Sequence, residues 1–316
     1  MSRRAWLSLA FTAALWGASY LFIKVALDGG LSEGFIICAR TILGALVLLP
    51  LAVRAGALPQ ILARRRWALA LAAAQVIVPF GLITFGENHV PSALAGILVA
   101  TSPLFVAVLA VRVDPAERSH GWGLVGVVLG MVGVVVLFGV DLSGDAKTLL
   151  GGLMIVGSGA CYAVAMLIAK RAFTGVPPVG VAASNLVIGA VAWLPVALFS
   201  LPHAVPGANA VLAMLALGAG GTGLAFLFFY TSIAEVGPAR ASVVAYVAPA
   251  FAVVYGVTLL HEQLTLGTIG GLVLILAGSW LAAQGGRARP PAAEAGAPLS
   301  RSEPSRSTAP EPARAR

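Results

Sequence analysis

Ten long apolar stretches run through the chain, each followed by a few polar or small residues. They fall at about 5–26, 33–53, 66–86, 90–112, 121–140, 149–169, 177–199, 208–231, 237–260 and 266–283. Most carry the roughly 20 residues that a helix needs to cross the hydrocarbon core of a bilayer. Within that core each backbone donor needs a partner in its own segment, so runs of this length read as helices. The expected fold class is therefore an all-α integral membrane protein with ten transmembrane helices. The connections are short and leave no room for a folded extramembrane domain. The N-terminal Arg3 and Arg4 imitate a signal peptide, but the apolar run behind them continues to Ala26 and reads as a retained first helix.

The pattern occurs twice. His89–Val111 and Glu235–Val257 overlay without a gap at an offset of 146, pairing Val90 with Val236, Ala93 with Ala239, Pro103 with Pro249 and Phe105 with Phe251. The same offset joins Trp16 to Tyr162 and Lys24 to Lys170. Further on it becomes 145, matching Glu117 with Glu262, Gly126 with Gly271 and Gly133 with Gly278. The chain thus divides into a first five-helix repeat at 1–145, a second at 146–283, and a tail at 284–316. Because five is odd, the second repeat enters the membrane from the opposite side. The halves are inverted about a pseudo-two-fold axis in the membrane plane, an arrangement that places a substrate cavity between them.

Charge fixes the orientation. With the N-terminus in the cytoplasm, alternating spans put 17 of the 20 lysines and arginines on the cytoplasmic side; Lys24, Arg40 and Lys147 fall at or near the outer ends. Both termini are then cytoplasmic. Composition agrees: 59% of residues are hydrophobic, 10% are charged and the mean hydropathy is +0.96. The net charge of +8 is spread between apolar runs and in the tail, so it is no nucleic-acid footprint. Cys38 and Cys161 lie in apolar stretches and read as free buried thiols. The tail is proline-, alanine-, serine- and arginine-rich without periodicity and reads as disordered.

These features carry a resemblance. WGASYLFIK from Trp16, SALAGILVATSPLFVAVLA from Ser92, and GPARASVVAYVAPAFAVVYGVTLLHEQLTLGTIGGLVLILAG from Gly237 make the chain similar to the ten-helix EamA-type transporters of the drug/metabolite transporter superfamily. VRVDPAER departs from that family's short hydrophobic-Gly-Glu turn, which argues against a special role for Glu117. The resemblance implies export or exchange of small metabolites, including amino acids and drug-like compounds, through a cavity lined mainly by the third, fourth, eighth and ninth helices.

Several residues are candidates for that cavity. Pro103 and Pro249 each deprive a carbonyl four residues earlier of its helical partner, so both copies are expected to kink. Thr101 and Ser102 flank the first proline, and Tyr246 lies near the second. Gln75 and Pro79 on the third span match the glycine run containing Gly220 and Gly221 on the eighth. The expected hinges are Pro79, Pro103, Gly220, Gly221 and Pro249. Gln75 is the first choice for a polar substrate contact, with an interhelical hydrogen bond as its rival reading. Trp16, Tyr20, Tyr162, Tyr230 and Tyr246 read as lining residues as a set, and as ordinary packing when taken singly. Lys24, Glu87, His89, Glu235, Arg240 and Glu262 sit near span ends, where charges snorkel to water. A proton-coupling pair of Glu87 and His89 competes there with a solvated loop. Gly126, Gly130, Gly133, Gly267, Gly271 and Gly278 give the fifth and tenth spans small-residue faces for close helix contact, within the chain or between protomers.

The function expected is a carrier of small metabolites, an exporter working by alternating access in the cell inner membrane. No cofactor or metal is expected, and the chain is read as a monomer or a homodimer. The alternatives are a passive channel and an intramembrane enzyme. The enzyme reading suffers because His261-Glu262 is not followed by a histidine at zinc-site spacing.

Overall fold

The computed structural model describes residues 3–113, 122–140, 145–202, 204–236, 241 and 243–285. Among these residues every regular element is helical. Eight helices are long and apolar enough to cross a membrane, and Val244–Leu259 and Leu266–Ala282 are shorter apolar helices that complete ten. The chain is an all-α, multi-pass membrane protein. Glu117, Arg240 and the tail beyond Gly285 lie outside the described residues.

Local chemistry accounts for the helix ends. The second span, Glu33–Arg54, starts at Ser32, whose hydroxyl accepts the Phe35 amide at 3.3 Å. Glu33 in its first turn and Arg54 in its last turn complement the helix dipole. Proline at the first turn opens the seventh span, Pro178–Phe199, where its missing donor costs nothing. Gly30 turns the chain between the first and second spans at φ +80°, a conformation natural to glycine. A short helix at Leu58–Ala63, absent from the hydropathy pattern, precedes the third span.

The helices pack in a pattern that treats the two repeats alike. The main pairings are first with ninth, third with sixth, second with eighth, second with seventh, and fifth with tenth. Exchanging each span for the one five later turns first–ninth into sixth–fourth, third–sixth into eighth–first, and second–eighth into seventh–third, and all of these contacts are present. Second–seventh and fifth–tenth map onto themselves. The halves are therefore interleaved, and each core cluster draws on both.

The fifth and tenth spans are joined through the glycines expected to allow close approach. A Cβ on Gly126 would lie 2.5 Å from the Ala282 nitrogen, and one on Gly278 would overlap the Gly130 backbone. This contact lies within one chain. The outer faces of these helices carry exposed Trp122, Val128, Val135 and Val273, as expected for surface that meets acyl chains. Cys38 and Cys161 are free.

The fourth and ninth spans, whose prolines match at the 146 offset, differ. The fourth is broken: Ser92–Val99 ends at Ala100, and a new helix runs Ser102–Val113 with Pro103 in its first turn. In the ninth, a turn at Val243 follows helical Ala241, and the helix Val244–Leu259 carries Pro249 inside it. The proline thus starts a new helix in the fourth span and lies within one in the ninth.

Candidate functional site

Two equivalent stretches depart from α-helical winding. In the third span Ala73–Ile77 is π-helical, and in the eighth Ala216–Leu224 is π-helical. Gln75 and Gly221, matched by the 146 offset, fall in these two segments. Such widened turns leave carbonyls to be satisfied from outside the helix and recur at functional sites. Trp193 Nε1 donates to the Ile77 carbonyl at 3.1 Å, and Thr222 Oγ1 donates to Leu217 O at 2.9 Å. Pro79 follows the first π segment and is buried; Gly220 and Gly221 lie inside the second, with the Ser19 hydroxyl against Gly221.

Around the first segment, Asn185 Nδ2 donates to Gln75 Oε1 at 2.9 Å, and the Tyr230 side chain lies near Gln75. The Asn185–Gln75 bond is the interhelical bond weighed above as the rival to a substrate contact, and it joins the third and seventh spans. Asn185 Oδ1 remains without a partner. Asn185 escaped attention in the sequence because its neighbours in the seventh span are apolar or small, yet an amide at that depth is the same signal that drew attention to Gln75.

Around the second segment lies a residue placed wrongly by the sequence. Arg40 was expected at an outer span end. It lies seven residues into the second span, about 10 Å along the helix, and is 5% exposed. Its Nε and Nη2 both donate to Thr222 Oγ1 at 3.3 Å, and its guanidinium carbon is 4.0 Å from the centre of the Phe80 ring. The alternation of spans assigned Arg40 to a side by counting alone, but its i−4 and i+4 neighbours, Ile36 and Gly44, are buried too. That was the available signal: a cation on the same face as core residues.

Glu87 is the second correction. A solvated loop was expected; the side chain is 0% exposed. It follows Gly86, where the third span ends, and both of its carboxylate oxygens lack a hydrogen-bond partner. Lys24 Nζ donates 3.3 Å to the Glu87 backbone carbonyl and lies 3.7 Å from Asp28 Oδ1. Burial pushes the Glu87 carboxyl well above the usual carboxylate range; the Arg40 and Lys24 charges pull it back, and Glu262 adds to the rise. His89, its expected partner, is exposed.

The lining candidates separate into groups. Tyr20 and Tyr162 pack against the cluster of Ile23, Ile83 and Leu217, and both lie near the Arg40 guanidinium. Trp16 sits instead among Phe226, Phe229 and Tyr230, with ring centroids 5.9 Å from Phe226 and 4.8 Å from Phe229. Trp16 and Tyr162 are therefore equivalent in sequence without sharing a pocket. Thr101 and Ser102 turn their hydroxyls onto the Leu98 and Val99 carbonyls at 2.7 and 2.8 Å, and Ser279 Oγ donates to Ala100 O at 3.1 Å. Tyr246 donates to Ser279 O at 3.3 Å.

Between the ninth and fourth spans, Glu262 accepts the Ser92 amide on Oε1 at 2.7 Å and the Ala93 amide on Oε2 at 2.9 Å. A carboxylate on the first two amides of a helix is favoured by both hydrogen bonding and the helix dipole. His261 at φ +56° makes the turn that delivers Glu262, and Gly256 leaves room for its carboxylate. Glu262 was expected merely to snorkel; it ties the end of the ninth span to the start of the fourth. A groove of about 910 Å³, lined by Arg3, Leu7, Ser8, Phe11 and Phe228, is mostly apolar and shares none of these residues with that chemistry.

The EamA-like transporter family matches residues 4–139 and again residues 149–284. The chain belongs to the EamA-like transporter family. Among relatives, it is 30% identical over 207 residues to the uncharacterized transporter YoaV of Bacillus subtilis, covering 64% of this chain and 70% of that protein. It is 28% identical over 280 residues to the uncharacterized inner membrane transporter YedA of Escherichia coli, covering 84% and 89%. A solved crystal structure aligns at a TM-score of 0.61 and 21% identity over 89% of this chain and 98% of the other, which speaks for the fold. This EamA-like chain is thus a membrane transporter, and the buried groups at its two π segments belong to that machinery or to its scaffold. Among the described residues no group of histidine, cysteine, aspartate and glutamate is placed to hold a metal.

Proposed function

We propose that this EamA-like transporter is an inner-membrane carrier that exports small metabolites by alternating access, with both termini in the cytoplasm. The observation that supports this most is Arg40. Removing a guanidinium from water costs several kcal/mol unless a well-placed partner offsets it. Here its hydrogen-bond partner is one neutral hydroxyl, with a ring face beside it. A substrate carboxylate would supply the missing charge, which favours amino acids and other amphipathic acids within the broader metabolite and drug-like class. Gln75, Tyr20, Tyr162 and Tyr230 are read as the walls around it, with Trp16 and Tyr246 further out and Thr101 and Ser102 at the helix break. Pro79, Pro103, Gly220, Gly221 and Pro249 are read as hinges, two π segments and two prolines at equivalent positions of inverted halves.

The test is counterflow in proteoliposomes with a panel of radiolabelled L-amino acids and ethidium. A carrier gives saturable uptake that is accelerated by the same compound loaded inside. Linear flux without counterflow would instead describe a channel. Arg40→Ala is expected to abolish uptake of carboxylates, while Gln75→Ala and Tyr246→Ala are expected to reduce it. Unchanged flux in all three variants removes this site assignment.

A further inference from the structure

A carboxylate that has neither water nor a donor is stable only as the neutral acid or with a counter-ion brought to it. Glu87 is in that position: it is fully enclosed, and both of its oxygens are unpartnered. The two cations close enough to act on it are directed elsewhere. Lys24 serves the Glu87 backbone carbonyl and Asp28. Arg40 serves Thr222 and lies against Phe80. Glu262, the neighbouring acid, is taken up by the Ser92 and Ala93 amides. The charged groups that face Glu87 are therefore Arg40 on the second span, Lys24 on the first and Glu262 after the ninth, and the neutral hydroxyls of Tyr20 on the first span and Tyr162 on the sixth lie near them.

We propose that Glu87 is the proton-binding group of this transporter, holding a proton in the enclosed state and releasing it to water when the cavity opens, so that substrate and proton exchange across the membrane. The inference rests on the carrier reading above. The step moves one proton between the carboxyl and water and breaks no other bond. The ionised form needs a compensating cation, and Arg40 supplies it by turning from Thr222 toward Glu87. A substrate carboxylate competes for the same guanidinium, so Arg40 serves the substrate or Glu87 in turn. That competition makes the two ligands alternate.

Two measurements on the full chain test this. The first is infrared spectroscopy of the protein in lipid nanodiscs at pH 7. Ordinary carboxyls, with pKa values of about 4, are ionised there. A protonated-carboxyl band is expected, and it should vanish in Glu87→Gln. No band in the wild-type protein overturns the proposal, and that reading needs no variant to fold. A band that survives unchanged in a folded Glu87→Gln protein overturns it too.

The second measurement drives uptake of the same panel with a pH difference across proteoliposomes. At one proton per substrate, a gradient of about one pH unit supports roughly tenfold accumulation. Glu87→Gln is expected to keep counterflow at equal pH and lose the gradient-driven accumulation. Flux that ignores gradients of either sign overturns proton exchange at Glu87 and leaves the carrier reading standing. If no compound in the panel moves, the carrier reading fails, and the infrared band decides whether Glu87 holds a proton.

Discussion

The fourth and ninth spans carry the same proline at the same register, yet the fourth breaks at its proline while in the ninth the helix that starts after the turn at Val243 runs on through Pro249. The residues just before each proline explain the difference. In the fourth span, Thr101 and Ser102 offer hydroxyls that take up the Leu98 and Val99 carbonyls, and Ser279 reaches across to the Ala100 carbonyl. At the 146 offset, the ninth span has Val247 and Ala248, which have no hydroxyl to offer. A broken helix inside a membrane must satisfy its freed carbonyls from side chains or neighbours. The first repeat has those side chains, so it breaks. The second lacks them, so it keeps its winding around Pro249. The proline marks a weak point; the flanking residues decide what becomes of it.

The largest effect is expected from cutting the link between these two spans. Glu262→Ala leaves the Ser92 and Ala93 amides without their charged acceptor, and hydrogen bonds to charged groups are worth about 1.5–3 kcal/mol each. Thermal unfolding followed by fluorescence size-exclusion should show a clear drop in the midpoint. An unchanged midpoint would mean that the clasp contributes nothing to holding the two spans together.

Next in size is the conversion of the fourth span into a copy of the ninth, by Thr101→Val together with Ser102→Ala. Buried carbonyls left unsatisfied cost about 1–3 kcal/mol each, partly recovered if the span rewinds into continuous helix. The expected outcome is lower stability. Amide exchange at residues 99–104 should slow if rewinding occurs, and faster exchange there would show that the break persists without its hydroxyls.

The smallest effect is expected from the converse change, Val247→Thr with Ala248→Ser. Hydroxyls bonded back to a helix carbonyl alter stability by roughly 1 kcal/mol or less and bend the helix. Amide protection around residue 249 should fall modestly while the midpoint barely moves. A fully protected ninth span would show that the hydroxyls alone do not open the helix, and that Ser279 on the tenth span is the necessary partner in the fourth.

Much of this architecture was legible beforehand because it rests on length and count. The ten apolar runs set the spans, and the offset of Gln75 to Gly221 pointed to the two stretches that wind as π-helix. The glycines of the fifth and tenth spans announced a close contact, and the tertiary structure placed it inside one chain. The polar interior was less legible. Gln75 stood out because an amide is rare in such surroundings, but its bond to Asn185 depends on which face of the seventh span meets the third. Arg40 and Glu87 were read from their distance along the chain to the nearest polar stretch, and both proved buried.

The sequence by itself determined a ten-span membrane protein made of two five-helix units, because the cost of exposing backbone in lipid dictates helix length and an odd count inverts the second unit. It also located the weak points, since proline and glycine act on the backbone wherever they stand. The tertiary structure decided which of those points opens, because opening depends on hydroxyls and carbonyls from other helices. It also decided the standing of the charges. A residue near a span end reaches water only if no neighbour covers it, and interleaving of the two halves covers Glu87 completely. Hydropathy along the chain records how far a charge lies from a polar stretch, whereas the energy of that charge depends on what packs around it.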